Sequence, residues 1–552
     1  MKALLMFMLL FIVPLRLTTA QVTQQWASYY NSPTNNNDAA VAMVVDNTGH
    51  IFVTGVSPTS TTGNDILTVK YNPSGVEQWT ARYQSSGTQS DKVNGIAIDA
   101  SGNVYVTGSS VLSNGGVMIT IKYNSSGVQQ WAKQLGEPAT SPAVPGRQKS
   151  PIAVDASGNV YVGGNRTFGG GDNGGTMLVK YNSNGDTLWT RRYKGTQFLI
   201  GLGSGFSCIK LDGNFIYATG KSFDMNPNLT FATTIKYNSS GGVEWIRKDT
   251  LIGGSDEVIA IEKDASGNII VTCNYGYNII TFKYNSSGAL LWKKSYNGIS
   301  GDYYDEVTGL TLDQNGYIYL TGISRRTTVS GGESFLALKY DPSGNQIWES
   351  FADGTGNEGD ISKGIAVDAS GNVYITGISY DVPFNFNYMT VKYDAAGVQK
   401  WKIIYDGGFN NRRDEPIAIA VDAANNVIVT GISDRLANSN DYATIKYSQS
   451  VGIHQLTSQI PGSFSLSQNY PNPFNPVTNI EFGIQKAGFV SLKIYDMLGK
   501  GTATLVNGYL DAGTYKYNFD AAGLNSGIYF YKIISGNDYE NFSSVKKMII
   551  VK

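Results

Sequence analysis

Eight tryptophans, Trp26, Trp79, Trp131, Trp189, Trp245, Trp292, Trp348 and Trp401, are all that this chain of 552 residues contains. Successive ones lie 47 to 58 residues apart. Their surroundings recur too, as in Lys122-Tyr123-Asn124-Ser125-Ser126-Gly127-Val128-Gln129-Gln130-Trp131. A period of this length means a modular array. A second signature precedes each of the last seven tryptophans. Asp99-Ala100-Ser101-Gly102-Asn103-Val104-Tyr105-Val106-Thr107-Gly108 is its clearest copy, and Asp212-Gly213-Asn214 is a copy shortened by one residue.

Each repeat reads as four short strands. In the second repeat they fall at 95–98, 104–107, 118–123 and 128–133. β-Branched and aromatic residues fill them, and Gly, Asn, Asp and Ser bound them. The first and third links are tight turns in which Gly supplies positive φ and Asn or Asp bonds its own backbone. Four antiparallel strands repeated eight times predict an all-β, eight-bladed β-propeller over 21–452. The eighth repeat ends after Tyr442-Ala443-Thr444-Ile445-Lys446-Tyr447 with no Trp, while Thr23 to Tyr30 at the other end is an orphan fourth strand. The N-terminal strand is therefore expected to close the ring, which removes an exposed sheet edge.

The paired motifs resemble the SBBP-type β-propeller repeats of bacterial secreted proteins, over about residues 22–450. The Trp-bearing motif is also similar to the tryptophan-docking repeat of quinoprotein propellers, a resemblance that implies indoles wedged between blades. The eight tryptophans are expected to act in packing alone.

The N-terminus reads as a secretory signal. Lys2 precedes an apolar run too short to cross a bilayer, and small residues place cleavage between Ala20 and Gln21. No other segment is apolar enough to span a membrane. A net charge of −1 without any basic block argues against nucleic acid as a partner. Cys208 and Cys273, the only cysteines, lie in neighbouring repeats, and whether they pair is open. The protein is expected to be a monomer.

Composition changes near residue 450. A linker over 453–463 leads into Tyr470-Pro471-Asn472-Pro473-Phe474-Asn475-Pro476 and then a series of short strands. Residues 464–552 are expected to form a small Ig-like β-sandwich. This segment resembles the type A sorting domain of the type IX (Por) secretion system of the Bacteroidetes. The resemblance implies export by that machinery and removal by a sortase, leaving the protein free or anchored to surface lipopolysaccharide.

Catalytic constellations are scarce. His50 sits in a turn and His454 in the linker, and neither accompanies a nucleophile. No His/Cys metal cluster is visible. Eight residues before the repeat Asp, six copies carry a further aspartate: Asp38, Asp91, Asp256, Asp305, Asp360 and Asp414; repeats three and four have Arg147 and Ser204. They could ring the channel mouth and hold Ca²⁺ or a basic ligand, or each could simply accept backbone N–H groups where its blade begins. Otherwise no cofactor is expected.

Links one and three are short and uniform, whereas links two and four are long and variable and share the opposite face. That face offers Tyr303, Tyr304, Phe384, Phe386 and Phe409. Binding residues concentrate on variable loops held by a rigid scaffold. The sequence therefore favours a secreted scaffold, not an enzyme, that binds a glycan or protein ligand. An extracellular propeller enzyme, quinoprotein-like or polysaccharide-cleaving, and a structural surface-layer protein are the alternatives. The pairs Asp305/Glu306 and Asp414/Glu415 are the acidic candidates for catalysis, but adjacency points them apart on a strand.

Overall fold

The structure is a computed structural model. It describes residues 22–551 except 34, 60–62, 86–89, 113–114, 136–150, 167–174, 194–204, 225–228, 252–256, 299–303, 326–331, 355, 357–358, 382–384, 408–412, 437–438, 450–452, 458, 487, 511, 522–523 and 537–540. The expected cleavage site, Ala20 and Gln21, lies outside the described residues, as do Arg147, Ser204, Asp256, Tyr303, Phe384 and Phe409. The chain divides into two compact units, Gln24–Ser448 and one built on Gln449–Lys552. No helix among the described residues is long and apolar enough to cross a membrane.

The larger unit is a β-propeller fold. It consists of eight four-stranded sheets, seven of them formed by strands consecutive in sequence. The second sheet runs Lys92–Ile98, Val104–Leu112, Gly115–Tyr123 and Gln129–Leu135. All four strands extend beyond the apolar runs that predict them, because pairing continues into the bases of the long links. In the eighth sheet Val22–Tyr30 pairs with Ser439–Gln449, so the two ends of the unit share one sheet. The first strand of every sheet packs against those of both neighbouring sheets, the last against the first, and these strands form a closed ring.

Side chains alternate between the two faces of a strand, and here both faces are covered. A strand in a stacked sheet buries both faces, so its residues need not alternate with polar ones. Phe52, Ile66, Val93, Val104, Val106 and Ile119 form one apolar cluster shared by the first two sheets. Ile51, Val53, Leu67, Ile428 and Tyr442 do the same between the eighth and the first. The core thus lies between sheets rather than in one central mass.

The smaller unit has two four-stranded sheets. One is Ile453–Thr457, Gly513–Asp520, Val477–Ile484 and Ser465–Leu466. The other is Gly501–Leu510, Gly488–Tyr495, Gly527–Gly536 and Asn541–Ile550. Ile480, Phe482, Leu492, Ile494, Tyr531 and Ile533 from both sheets meet in one core. The segment expected as a linker, 453–463, is corrected here. Its first residues form Ile453–Thr457, which pairs with Gly513–Asp520, because extended chain beside an open sheet edge satisfies its backbone by joining it.

The proline-rich motif is stitched to the last strand. Phe474 is 3% exposed and sits in the core, its N–H donates to Ile549 O (3.1 Å), and its carbonyl accepts from Val551 (3.0 Å). Ile549 N–H also donates to Asn472 Oδ1 (2.9 Å). Tyr470–Pro471 and Asn472–Pro473 are cis. Tyr470 itself is 80% exposed.

Candidate functional site

The two repeat motifs form one device. Asp99 Oδ1 accepts the N–H groups of Ser101 and Asn103, both at 2.9 Å, which closes the first turn. Its Oδ2 accepts from Asn103 Nδ2 (2.7 Å) and from the Tyr105 hydroxyl (2.9 Å). This explains Asp, Asn and Tyr at their spacings without a metal. Burial alone would raise the Asp99 carboxyl, but these bonds together outweigh it and hold it below the usual carboxylate range. Tyr105 then carries the Lys122 ammonium over its ring at 5.3 Å.

Lys122 faces Trp131 across the third and fourth strands. Trp131 Nε1 donates to Ser183 O in the next sheet (3.0 Å), and Lys122 Nζ donates to the same oxygen (3.1 Å). Six more carbonyls take the same fork. They belong to Ser125 (Trp79, Lys70), Ser239 (Trp189, Lys180), Ser286 (Trp245, Lys236), Pro342 (Trp292, Lys283), Ala395 (Trp348, Lys339) and Pro73 (Trp26, Lys446). The indole ring covers the glycine of the same turn. A Cβ on Gly127, which has φ +81°, would lie 2.6 Å from the Trp79 ring. Seven of the tryptophans hydrogen-bond the turn of the next sheet, and the lysines that share their acceptors were not singled out in the sequence. Their recurrence five residues before the glycine of the following turn, as at Lys122 and Gly127, was the available signal.

One fork spans the ring's seam. Trp26 comes from the first strand of the chain and Lys446 from the last of the propeller unit, and both hold Pro73 O, at 3.2 and 3.3 Å. Trp401 differs. The eighth sheet takes its fourth strand from the N-terminus, so it has no hairpin turn to offer a carbonyl. The Trp401 indole N–H is buried with no hydrogen-bond partner, at 6% residue exposure.

The expected acidic ring is corrected. Asp38, Asp91, Asp305, Asp360 and Asp414 are all at most 2% exposed. Each accepts a backbone N–H from the long link before its strand: Ser32 (2.7 Å), Ser85 (3.3 Å), Gly298 (2.6 Å), Gly354 (2.5 Å) and Gly407 (2.8 Å). These aspartates clasp the start of five of the sheets and do not present anions to solvent. Burial raises all five carboxyls, and those of Asp360 and Asp414 are pushed up to about 6. No group of three or more His, Cys, Asp or Glu able to hold a metal occurs among the described residues.

The sign of the pH effect follows. A carboxyl raised on folding stabilises fully below its unfolded pKa, and that contribution is lost as pH rises through the folded value. For Asp360 and Asp414 the window is from the ordinary 3.8 to about 6. Asp46, Asp99, Asp155, Asp264 and Asp422 are lowered and act oppositely, losing stability in stronger acid. The melting temperature is expected to fall between pH 4.5 and 7. Asp414→Asn should flatten that limb by a shift worth roughly 1–3 kcal/mol. An unchanged slope in melts across this range would remove Asp414 as its source.

The other acidic candidates are tied as well. Tyr304 donates its hydroxyl to Glu306 Oε2, and Arg413 pairs with Glu415. His50 lies against Asp46 (3.2 Å) and Thr48 (2.7 Å) in its turn. Cys208 and Cys273 are buried and not joined in a disulfide, and Cys208 Sγ donates to Ile259 O (3.2 Å).

One exposed cluster stands on the long-link face between the fifth and sixth sheets. Tyr277 occupies the second link of the fifth sheet and Tyr304 the link that leads into Asp305–Leu312. They are 64% and 37% exposed. Their rings meet edge to face at 6.0 Å and 61°. Tyr277 O accepts from Asp305 N (3.0 Å), and Tyr304 O accepts from Arg325 N (3.1 Å). The Arg325 guanidinium is half exposed and pairs with Glu333 (2.9 Å). Tyr304 was named from the sequence. Tyr277 was not, because its link is short and carries no length signal.

The fold and these repeats define a β-propeller protein with a separate β-sheet unit at its C-terminus. The chain carries a β-propeller repeat of the SBBP type at 78–110 and a secretion system C-terminal sorting domain at 468–551. The latter marks export by the type IX system to the cell surface or extracellular space. Among curated proteins the chain is similar to an uncharacterized WD repeat-containing protein, L264, of Acanthamoeba polyphaga mimivirus. The two are 25% identical over 410 residues, which cover 66% of this chain, and the match spans only 25% of the viral protein. Solved structures of similar fold include PorZ, a surface component of the type IX secretion system of Porphyromonas gingivalis (14% identity, 94% of this chain and 74% of that one, TM-score 0.29). A protein of unknown function from Dyadobacter fermentans (9%, 78% and 99%, TM-score 0.37) and the GH74 xyloglucanase of Xanthomonas campestris (10%, 84% and 59%, TM-score 0.38) are others. At such identities and TM-scores their activities stay with those proteins.

Proposed function

We propose that this protein is an eight-bladed propeller, closed by its N-terminal strand, that serves outside the cell as a glycan-binding scaffold. Its Ig-like C-terminal unit is the export address, removed by a sortase, and the mature protein is a monomer. The ligand sits on the long-link face. The observation that carries this reading is the Tyr277–Tyr304 pair, two neighbouring exposed rings fixed by backbone bonds to adjacent strands. Aromatic rings lose little conformational entropy on binding and offer an apolar platform, while the partly exposed Arg325–Glu333 pair beside them supplies a donor and an acceptor for hydroxyls.

The test is capture on a glycan array by the purified protein, once with Ca²⁺ and once with chelator. Because the five described aspartates are buried clasps, capture of one glycan class is expected in both buffers. Capture of nothing in either buffer overturns the glycan reading and favours a protein ligand or a structural surface role.

A further inference from the structure

Eightfold repetition supplies its own control, because a position that departs from its seven equivalents departs for a reason. In the closed ring of first strands, the residue two before the turn aspartate is partly exposed in every sheet. It is small or apolar in six of them, as at Ala97, Ala153 and Ala420. In the fourth and fifth sheets it is Lys210 and Glu262. The register makes these equivalent: Ala97 pairs with Tyr105, Ala153 with Tyr161, Lys210 with Tyr217 and Glu262 with Ile270.

The two charges line a cavity of about 350 Å³ bounded by the first strands of the third to sixth sheets. Ala153, Val154 and Leu211, each partly exposed, supply its apolar wall. Lys210 Nζ donates to Glu262 Oε2, and the side chains are 36% and 26% exposed. Beside them Lys263 pairs with Asp212 at 2.9 Å. A half-exposed ion pair stabilises by at most about 1 kcal/mol. Stability alone gives weak reason to break an apolar ring at two adjacent sheets. The size suits a small ligand, since such sites start at roughly 300 Å³ and combine apolar walls with few polar groups.

We propose that this cavity binds a free α-amino acid with an apolar side chain. The α-carboxylate displaces Glu262 on the Lys210 ammonium, the α-ammonium takes the Glu262 carboxylate, and the side chain lies against Ala153 and Leu211. A zwitterion exchanges with the pair one charge for one charge, so neither residue is left unpaired. A simple cation or anion meets only one of the two charges and leaves the other to solvent. A peptide carries its two charges at opposite ends and cannot replace both.

The experiment is isothermal titration of the purified full chain with L-leucine and L-phenylalanine, against L-leucinamide and N-acetyl-L-leucine. Saturable binding of leucine or phenylalanine is expected, with each one-charge analogue at least tenfold weaker. Lys210→Met and Glu262→Gln should each cost at least tenfold, and Ala97→Ser across the ring should cost nothing. The reversed pair, Lys210→Glu with Glu262→Lys, keeps both charges and should bind within a few-fold of the parent, which guards against loss of fold in the single variants. The proposal is overturned by no binding of either amino acid at millimolar concentration. Equal binding of leucinamide and leucine, or parental affinity in the single variants, also overturns it.

Discussion

Removal of residues 22–30 is expected to destroy the cooperative unfolding of the propeller unit rather than trim it. Val22–Tyr30 is the fourth strand of the last sheet, and its loss exposes Ser439–Gln449 as an open edge. Trp26 and Tyr30 also leave the apolar cluster that joins the eighth sheet to the first. The Tyr29 hydroxyl bonds Tyr405 across to the seventh sheet (2.7 Å), and Gln25 bonds Ser448 (2.6 Å). The combined loss exceeds about 5 kcal/mol, which is the lower end of a domain's whole stability. Urea titration of the shortened chain should show a broad or absent transition. A sharp transition at the parental midpoint would mean the ring is not held shut by this strand.

Two tryptophans that look alike in sequence should respond oppositely to the same change. Trp245 donates its indole N–H to Ser286 O (3.1 Å), whereas the Trp401 N–H is buried without a partner. Phenylalanine removes the N–H and keeps most of the ring. Trp245→Phe is expected to destabilise by about 1–2 kcal/mol, from the lost bond and a smaller side chain. At Trp401 the same change removes an orphaned donor, whose burial costs about 1–3 kcal/mol, and this offsets the lost volume. Trp401→Phe should therefore be neutral or stabilising in the same urea titrations. Equal destabilisation at both positions would show that the eighth indole has an acceptor after all.

The contrast shows what was readable in the chain. Periodicity revealed eight units and the displaced strand, because each repeat writes its turns with Asp, Asn and Gly that can do little else. It could not reveal that Lys122 and Trp131 share one carbonyl of the next sheet, since a pattern within one repeat says nothing of what its neighbour offers. Nor could it assign the aspartates. Asp38 and Asp414 have the spacing of a ring of ligands, but spacing places only a Cα, and whether a carboxylate meets solvent or a backbone N–H depends on the link that folds over it. Tyr277 was hidden for the converse reason, being one aromatic in a two-residue link that becomes a platform only when Tyr304 of the next sheet arrives beside it.

The long-link face is tested most directly by comparing capture of the array-selected glycan by the parent and by Tyr277→Ala/Tyr304→Ala. Both rings are substantially exposed, so the double variant should keep the parental melting temperature within a few degrees. The account predicts at least a tenfold loss of capture at that unchanged stability. Capture equal to the parent's would place the ligand elsewhere and contradict it.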